Sequence, residues 1–257
     1  MCRDKLDFSN YAKDLNKYFG ELHQLPTVDS TNEYAKRLAI DGVSCALVVA
    51  EEQTNGRGRM GRSFYSPKST GAYFSILLTP ARPLGSAVTL TGAAAVAVMR
   101  AIRKETGIQT AIKWVNDLYL GKKKVCGILA EAISDFDGKG ARVILGIGIN
   151  LTTEEFPEEL IGKAGSLNSR VDPASLIASV CRELIPFLCD LENREWLADY
   201  RAHSMVIGHR VLWRRGECEH CGKAIGINDL GELEILSDTG EQEVLRTGEI
   251  SLFIDPV

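Results

Sequence analysis

Histidine is scarce, four residues in 257, and His23, His203 and His209 stand at no spacing that would set an imidazole between a nucleophile and an orienting acid. A surplus of positive charge is missing too. Thirty Lys and Arg against 34 Asp and Glu give a formal charge of −4, which excludes a chain-wide basic surface for nucleic acid and confines any polyanion site to a local cluster. The first twenty residues, MCRDKLDFSNYAKDLNKYFG, lack the apolar centre of a signal peptide. The longest uncharged run, Pro83 to Met99, is broken by Gly, Ser and Thr, so neither secretion nor a membrane span is expected, and the cytoplasm is the expected location.

Cysteine is present but not in the pattern of a framework. Cys2, Cys45, Cys126, Cys181, Cys189, Cys218 and Cys221 make an odd set in mostly apolar contexts, as suits reduced, largely buried thiols. Cys218-Glu219-His220-Cys221 lacks the second ligand pair of a structural zinc site, so it reads as a hairpin turn with incidental thiols and no metal is assigned to it. Gly146-Ile147-Gly148 lacks the third glycine and the helix opening of a dinucleotide fingerprint.

What is present reads as an α+β protein. In HQLPTVDSTNEYAKRLA, Ser30 as N-cap with Glu33 three residues on predicts a helix entry with a capping box. Ala46 to Ala50 and Ala72 to Leu78 read as strands flanking a long connection, Ala87 to Ile102 as a buried helix stopped at Thr106-Gly107, and TAIKW and DLYL as further strands. KVCGILAEAI and ARVILGIGINL form a hairpin across the turn from Asp135 to Gly140. Asp172-Pro173 opens another helix with Leu176, Ile177, Val180, Leu184, Phe187, Leu188 and Leu191 on its apolar face and a kink expected at Pro186, and a short helix follows from Trp196 to His203. From Ile207 onward, short alternating segments between Gly- and acid-rich turns predict a small β-barrel. The domains are therefore expected to span residues 1–206 and 207–257.

Four short motifs carry chemistry. Asn55 to Arg62, NGRGRMGR, puts three arginines and three glycines in eight residues: glycine lets backbone approach a ligand, and arginine grips phosphate or carboxylate with two parallel hydrogen bonds. A basic surface loop or an RGG-like nucleic-acid segment would look the same in isolation. Lys113-Trp114-Val115-Asn116-Asp117 is followed by Lys124 in KVCG, where a cleft-facing lysine can neutralise charge developing on a carboxylate and a phosphoryl group; a solvated basic turn of Lys122, Lys123 and Lys124 is the alternative. In GIGIN, alternate glycines bare one face of a strand to a flat ligand or to a closely packed helix. Ser30-Thr31-Asn32 offers hydroxyls and free N–H groups at a helix start, or simply a cap.

Taken in order, DSTNEYA, EEQTNGRGRMGRSFYSP, KWVNDLYL, KVCGILAEA, GIGINL and the terminal GEISL closely resemble the biotin–protein ligases, from about residue 22 to the end of the chain. The resemblance implies a catalytic domain akin to class II aminoacyl-tRNA synthetases, with a mixed sheet and helices, followed by an SH3-like barrel. It implies a two-step reaction in which biotin and MgATP give biotinyl-5′-AMP and pyrophosphate, and a lysine of a biotin carboxyl carrier protein then takes the biotinyl group. Carried over residue by residue, it puts Ser30, Thr31, Asn32, Gln53, Gly56, Arg57, Gly58, Arg59, Lys124, Gly127, Gly146 and Gly148 at biotin. It puts Arg59, Arg62, Phe64, Lys113, Asn116 and Asn150 at the nucleotide. Lys124, Arg59 and Asp117 are the catalytic candidates, and the arginine loop is expected to fold over the adenylate as a lid.

Some positions depart from the family. Phe64 stands where well-known bacterial members have Trp, Met60 where many have Arg, and Phe253 where some have Arg after EISL. Twenty residues before the resemblance are too few for a helix-turn-helix domain, so DNA binding is not expected, while a homodimer is left open. The alternatives are a lipoate–protein ligase, which shares the fold and the KxxG lysine, and a nucleic-acid-binding regulator, for which a basic domain and a recognition helix are lacking.

Overall fold

The computed structural model describes residues 6–80, 87–133, 141–190, 192–215, 217–246 and 250–252. Leu191, the turn at 135–140 and Phe253 lie outside them. The elements run α1 Ala12–Phe19, β1 Glu21–Leu25, α2 Thr31–Ile40, β2 Ala46–Ala50, β3 Gly71–Leu78, α3 Ala87–Thr106, β4 Ala111–Lys113, β5 Asp117–Leu120, β6 Lys123–Ile133, β7 Arg142–Asn150, α4 Pro173–Cys189, α5 Trp196–Ala202 and then β8 Arg210–Arg215, β9 Cys218–Ile227, β10 Leu233–Ser237, β11 Gln242–Leu245 and β12 Ile250–Leu252.

Seven strands form a mixed sheet in the order β1-β2-β3-β7-β6-β5-β4. Only β1 and β2 pair in parallel; the other neighbours are antiparallel. Side chains alternate across a strand, and this sheet uses the alternation strictly. Leu47, Val49, Phe74, Ile76, Leu145 and Ile147 share the main core with α3 and α4, while Ala46, Val48, Leu77 and Ile144 pack with Ala35 and Ala39 of α2. A helix on each face explains why β2 is wholly buried and reads as an unbroken apolar run. The short α2 covers only part of its face; its first turn reaches Gly146 of β7, and Gly148 and Gly127 fall on that same face beside Phe64 and Lys124.

The second sheet is antiparallel, in the order β11-β10-β9-β8-β12, and joins the first through a continuous core that includes Val211, Trp213, Leu233 and Ile235. The Trp114 indole N–H donates to the Gly231 carbonyl at 3.0 Å, and Arg201 Nε donates to the Ile227 carbonyl at 2.7 Å. Gly92 of α3 permits the approach of α5, since a Cβ there would lie 2.5 Å from the Trp196 ring.

Two expectations are corrected, and the N-terminal stretch adds a helix, α1, that no motif had marked: Leu15 and Phe19, four residues apart, bury one side of an otherwise charged helix, and Gly20 at φ 68° ends it. Ser30 is the N-cap residue of α2 but makes no side-chain capping bond; Glu33 pairs instead with Arg57 across 3.0 Å, so no capping box forms. Cys218 to Cys221 begins strand β9 rather than making a turn. Residues three apart on a strand point to opposite faces, which separates the two thiols. Among the described residues no group of three or more His, Cys, Asp or Glu could hold a metal ion. No described helix is long and apolar enough to cross a membrane.

Candidate active site

A cleft of about 830 Å³ opens on the part of the sheet that α2 leaves bare, a size suited to a small organic ligand or cofactor. Its walls are the start of α2, the arginine loop, the strand ends from β4 to β7, the segment after β7 and, from the second sheet, Ile250. Ser30, Thr31, Asn32, Gln53, Arg57, Gly58, Arg59, Arg62, Phe64, Lys113, Asn116, Asp117, Lys124, Gly127, Gly146, Gly148 and Asn150 all line it. Gly56 alone of the predicted set does not. It sits beneath the loop, where a Cβ would come 2.3 Å from the Phe64 carbonyl oxygen and 2.9 Å from Ser66 Oγ, so its missing side chain serves the loop's own folding.

The loop closes on itself. Arg57 and Ser63 bridge in antiparallel fashion, Gly58 N donates to the Arg62 carbonyl and Phe64 N to the Gly56 carbonyl, each at 2.8 Å. Met60 and Gly61 make the reversal with φ of 55° and 73°, which leaves the Met60 side chain 77% exposed. Two of its arginines are tied to the walls: Arg57 to Glu33, and Arg59 Nη1 to Asn116 Oδ1 at 3.1 Å. Asn116 in turn donates from Nδ2 to the Ile128 carbonyl.

Opposite the loop, Lys124 Nζ lies 2.7 Å from Asp117 Oδ1. The two residues belong to neighbouring strands, and Lys124 is further fixed by the segment after β7, its N–H donating to the Lys163 carbonyl at 2.9 Å. Lys113 stands 5.7 Å from the centre of the Tyr119 ring, within cation–π range. Cys126, between these lysines in sequence, is fully buried; burial pushes its thiol far up, so it is no nucleophile. Asn150 donates to the Gly165 carbonyl at 2.9 Å, while its buried Oδ1 has no partner among the described residues and remains an acceptor in the cleft.

The glycines of β6 and β7 are occupied from above by the protein itself. A Cβ on Gly146 would fall 2.1 Å from Asn32 Oδ1, one on Gly148 2.4 Å from the Phe64 ring, and one on Gly127 3.1 Å from Lys124 Nζ. Of the two readings of this strand, the closely packed helix applies at Gly146, where Asn32 of α2 sits, while the protein's own Phe64 ring lies on Gly148.

Beneath the cleft a polar network joins α2 to the sheet. Ser66 donates to the Phe64 carbonyl at 3.0 Å and accepts from Gln53 Nε2 at 2.8 Å. Gln53 Oε1 accepts from Thr31 N at 2.8 Å and stands 3.1 Å from the Thr31 hydroxyl. Ser75, fully buried on β3, lies 2.7 Å from Thr31 Oγ1 and 2.6 Å from Asn32 Oδ1; Asn32 Nδ2 donates to Glu131 Oε2 at 2.6 Å. Nearby, two hydrogen bonds of 2.8 Å from Arg37 hold the Asp29 carboxyl down at about 2. The sequence reading missed Ser66, Ser75, Glu131, Lys163 and Ile250. A signal existed for Ser75 and Glu131, each a polar residue set in an apolar strand.

The sequence model of the Biotin/lipoate A/B protein ligase family matches residues 25–150. The chain is 34% identical over 233 residues to the bifunctional ligase/repressor BirA of Bacillus subtilis, covering 85% of this chain and 69% of the relative. It is 31% identical over 239 residues to a biotin–[acetyl-CoA-carboxylase] ligase of Paracoccus denitrificans, covering 86% and 96%. Among solved structures it is similar to a biotin protein ligase from Aquifex aeolicus in complex with biotin and ATP, with a TM-score of 0.78 and 32% identity over 91% of this chain and 99% of the other.

Proposed function

The chain belongs to the biotin–protein ligases, and from that membership we propose how its cleft carries out the reaction. The protein is a ligase that uses ATP to activate biotin as biotinyl-5′-AMP and passes the biotinyl group to a lysine of a carboxylase carrier. The full-length relatives are named for biotin, which favours this reading over a lipoate ligase. The acceptor we propose is a biotin carboxyl carrier protein or domain. We also assign residues 1–206 to a class II synthetase-like catalytic domain and residues 207–257 to an SH3-like barrel, a division supported by the change at Arg210 from a helix-backed mixed sheet to a purely antiparallel one.

The first step brings a carboxylate onto an α-phosphate, two anions that repel unless cations surround them. The observation that carries the assignment is the convergence of Arg57, Arg59, Arg62, Lys113 and Lys124 on one cleft in a chain of net negative charge. Lys124 bridges the biotin carboxylate and the phosphate, stabilising the charge without being modified. Asp117 holds the lysine ammonium in place by the 2.7 Å contact. Thr31, Asn32 and Gln53 face the polar end of biotin, and Arg59, Arg62, Lys113, Asn116 and Asn150 serve the nucleotide. Magnesium enters as MgATP with the substrate phosphates. The carboxylate oxygen attacks the α-phosphorus, and the α–β phosphoanhydride bond breaks to release pyrophosphate. The carrier lysine amine then attacks the acyl carbon, AMP leaves, and the amine gives up its proton. The mixed anhydride must survive until the carrier arrives, so the arginine loop excludes water over it.

Incubation with biotin, MgATP and a biotin carrier domain tests this. The wild type is expected to biotinylate the carrier and Lys124→Ala to lose a factor on the order of 10²–10³ in adenylate formation, the scale of removing one charge-stabilising group. Absence of biotinylation by the wild type would overturn the reading.

A further inference from the structure

We propose that Glu131 is a positioning residue that fixes which way the Asn32 amide faces, and so sets what hydrogen bond the cleft offers the ligand. The inference rests on the biotin reading above for the identity of that ligand.

An asparagine amide has an acceptor at one end and two donors at the other, and rotating it by half a turn exchanges them with almost no change of shape. In this cleft the exchange matters, because Asn32 is buried, lines the cavity and stands directly on Gly146. The surrounding network fixes the direction of the Gln53 amide but does not reach as far as Asn32. The Ser66 proton goes to the Phe64 carbonyl, so Ser66 accepts from Gln53 Nε2, and Gln53 turns Oε1 toward Thr31. Thr31 N–H already donates to Gln53 Oε1, so the Thr31 hydroxyl, 3.1 Å from Gln53 Oε1 and 2.7 Å from Ser75 Oγ, can give its proton to either.

Ser75 by itself does not settle Asn32. A hydroxyl both donates and accepts: it could give its proton to Asn32 Oδ1, or give it to Thr31 and accept from a reversed Asn32. Glu131 removes that freedom. A carboxylate only accepts, so at 2.6 Å from Asn32 it tolerates the donor end alone, and a charge-assisted bond of this length is among the strong ones. Glu131 lies on β6 opposite Ile144 of β7, with Leu129 opposite Gly146. It thus reaches Asn32 from the sheet without itself lining the cleft. With one N–H of Asn32 on Glu131, Ser75 gives its single proton to Asn32 Oδ1 and accepts that of the Thr31 hydroxyl; the remaining N–H is what Asn32 has to offer, and it suits an acceptor such as the ureido carbonyl oxygen of biotin.

Glu131→Gln is the discriminating substitution. Glutamine keeps the size but accepts or donates, so both amide directions become available. The dissociation constant for biotin, measured by calorimetry without nucleotide, is expected to rise roughly tenfold, the scale of one hydrogen bond lost at a buried group, while the KM for ATP and the melting temperature stay at wild-type values. In an Asn32→Ala background the same substitution is expected to have no further effect on biotin binding, because the two act through one bond. A biotin constant within twofold of wild type, or a parallel rise for biotin and ATP, would overturn the proposal. If wild-type protein forms no biotinyl-5′-AMP, it is the functional reading that fails, and the two failures are told apart by that control.

Discussion

The Phe64 ring lies on Gly148 so closely that a Cβ on the glycine would fall 2.4 Å from the ring edge. The arginine loop and the floor of the cleft therefore meet through one aromatic contact, and a ligand lying on the glycine face has to share that space with the ring or displace it. Gly148→Ala forces the ring off its seat, an overpacking that costs about 1–3 kcal/mol. The expected outcome is a raised KM for biotin with a melting temperature lowered by a few degrees, read by steady-state kinetics and thermal denaturation. An unchanged KM would mean that nothing binds against this strand.

Asp117 touches Lys124 but carries no positive charge of its own to the reaction. Asp117→Asn is expected to lower adenylate formation by roughly tenfold, well short of the loss for Lys124→Ala, because the ammonium keeps its charge and loses only its fixed position. Single-turnover formation of labelled adenylate compares the two directly.

The exposed reversal at Met60 and Gly61, flanked by arginines, offers trypsin ready substrates. Biotin plus MgATP is expected to slow cleavage within residues 55–62, and biotin plus a non-reacting nucleotide to slow it less. Equal cleavage with and without ligands would exclude a lid.

Trp114 ties the KWVND segment to the second sheet through the bond to Gly231. Trp114→Phe keeps most of the packing and leaves a buried carbonyl without its donor, which costs about 1–3 kcal/mol. Chemical denaturation measures the loss.

Asp29 and Arg37 give a pH test at the entry to α2. The carboxyl is held at about 2 in the folded protein, below an unfolded value of roughly 3.9, so its contribution to stability is present above about pH 4 and lost as pH falls through the folded value. Both side chains are about half exposed, so the contribution is small. In Arg37→Met, an NMR titration is expected to show Asp29 returning toward about 4.

Much of this arrangement was legible in the chain because the signals were local. The runs of β2, β3 and β7, the stop at Gly107 and the Asp172-Pro173 helix entry declare themselves through composition over a few residues. The Asp172 cap is a real one, accepting from Ser175 N at 3.3 Å. The failures were cases in which tertiary contacts outweighed local rules. Glu33 satisfies the capping-box spacing and is drawn instead to Arg57 of the loop. β1, with the sequence ELHQL, has no β-branched residue and exists as a strand because β2 offers it a parallel edge. Most of the site's lining came from motifs with recognisable residue types. Ser75 lies in none of them and Glu131 passes unmarked within KVCGILAEA, since their roles are set by which residues stand beside them across the sheet.

The alternation along β7 divides two kinds of structural demand within nine residues. Leu145, Ile147 and Ile149 answer to the volume of the core, whereas Gly146, Gly148 and Asn150 answer to the outline of the cleft. Point changes on this strand should thus separate cleanly into those that lower stability and those that lower turnover. Deleting one residue would do both at once, bringing isoleucines to the ligand and glycines to the core.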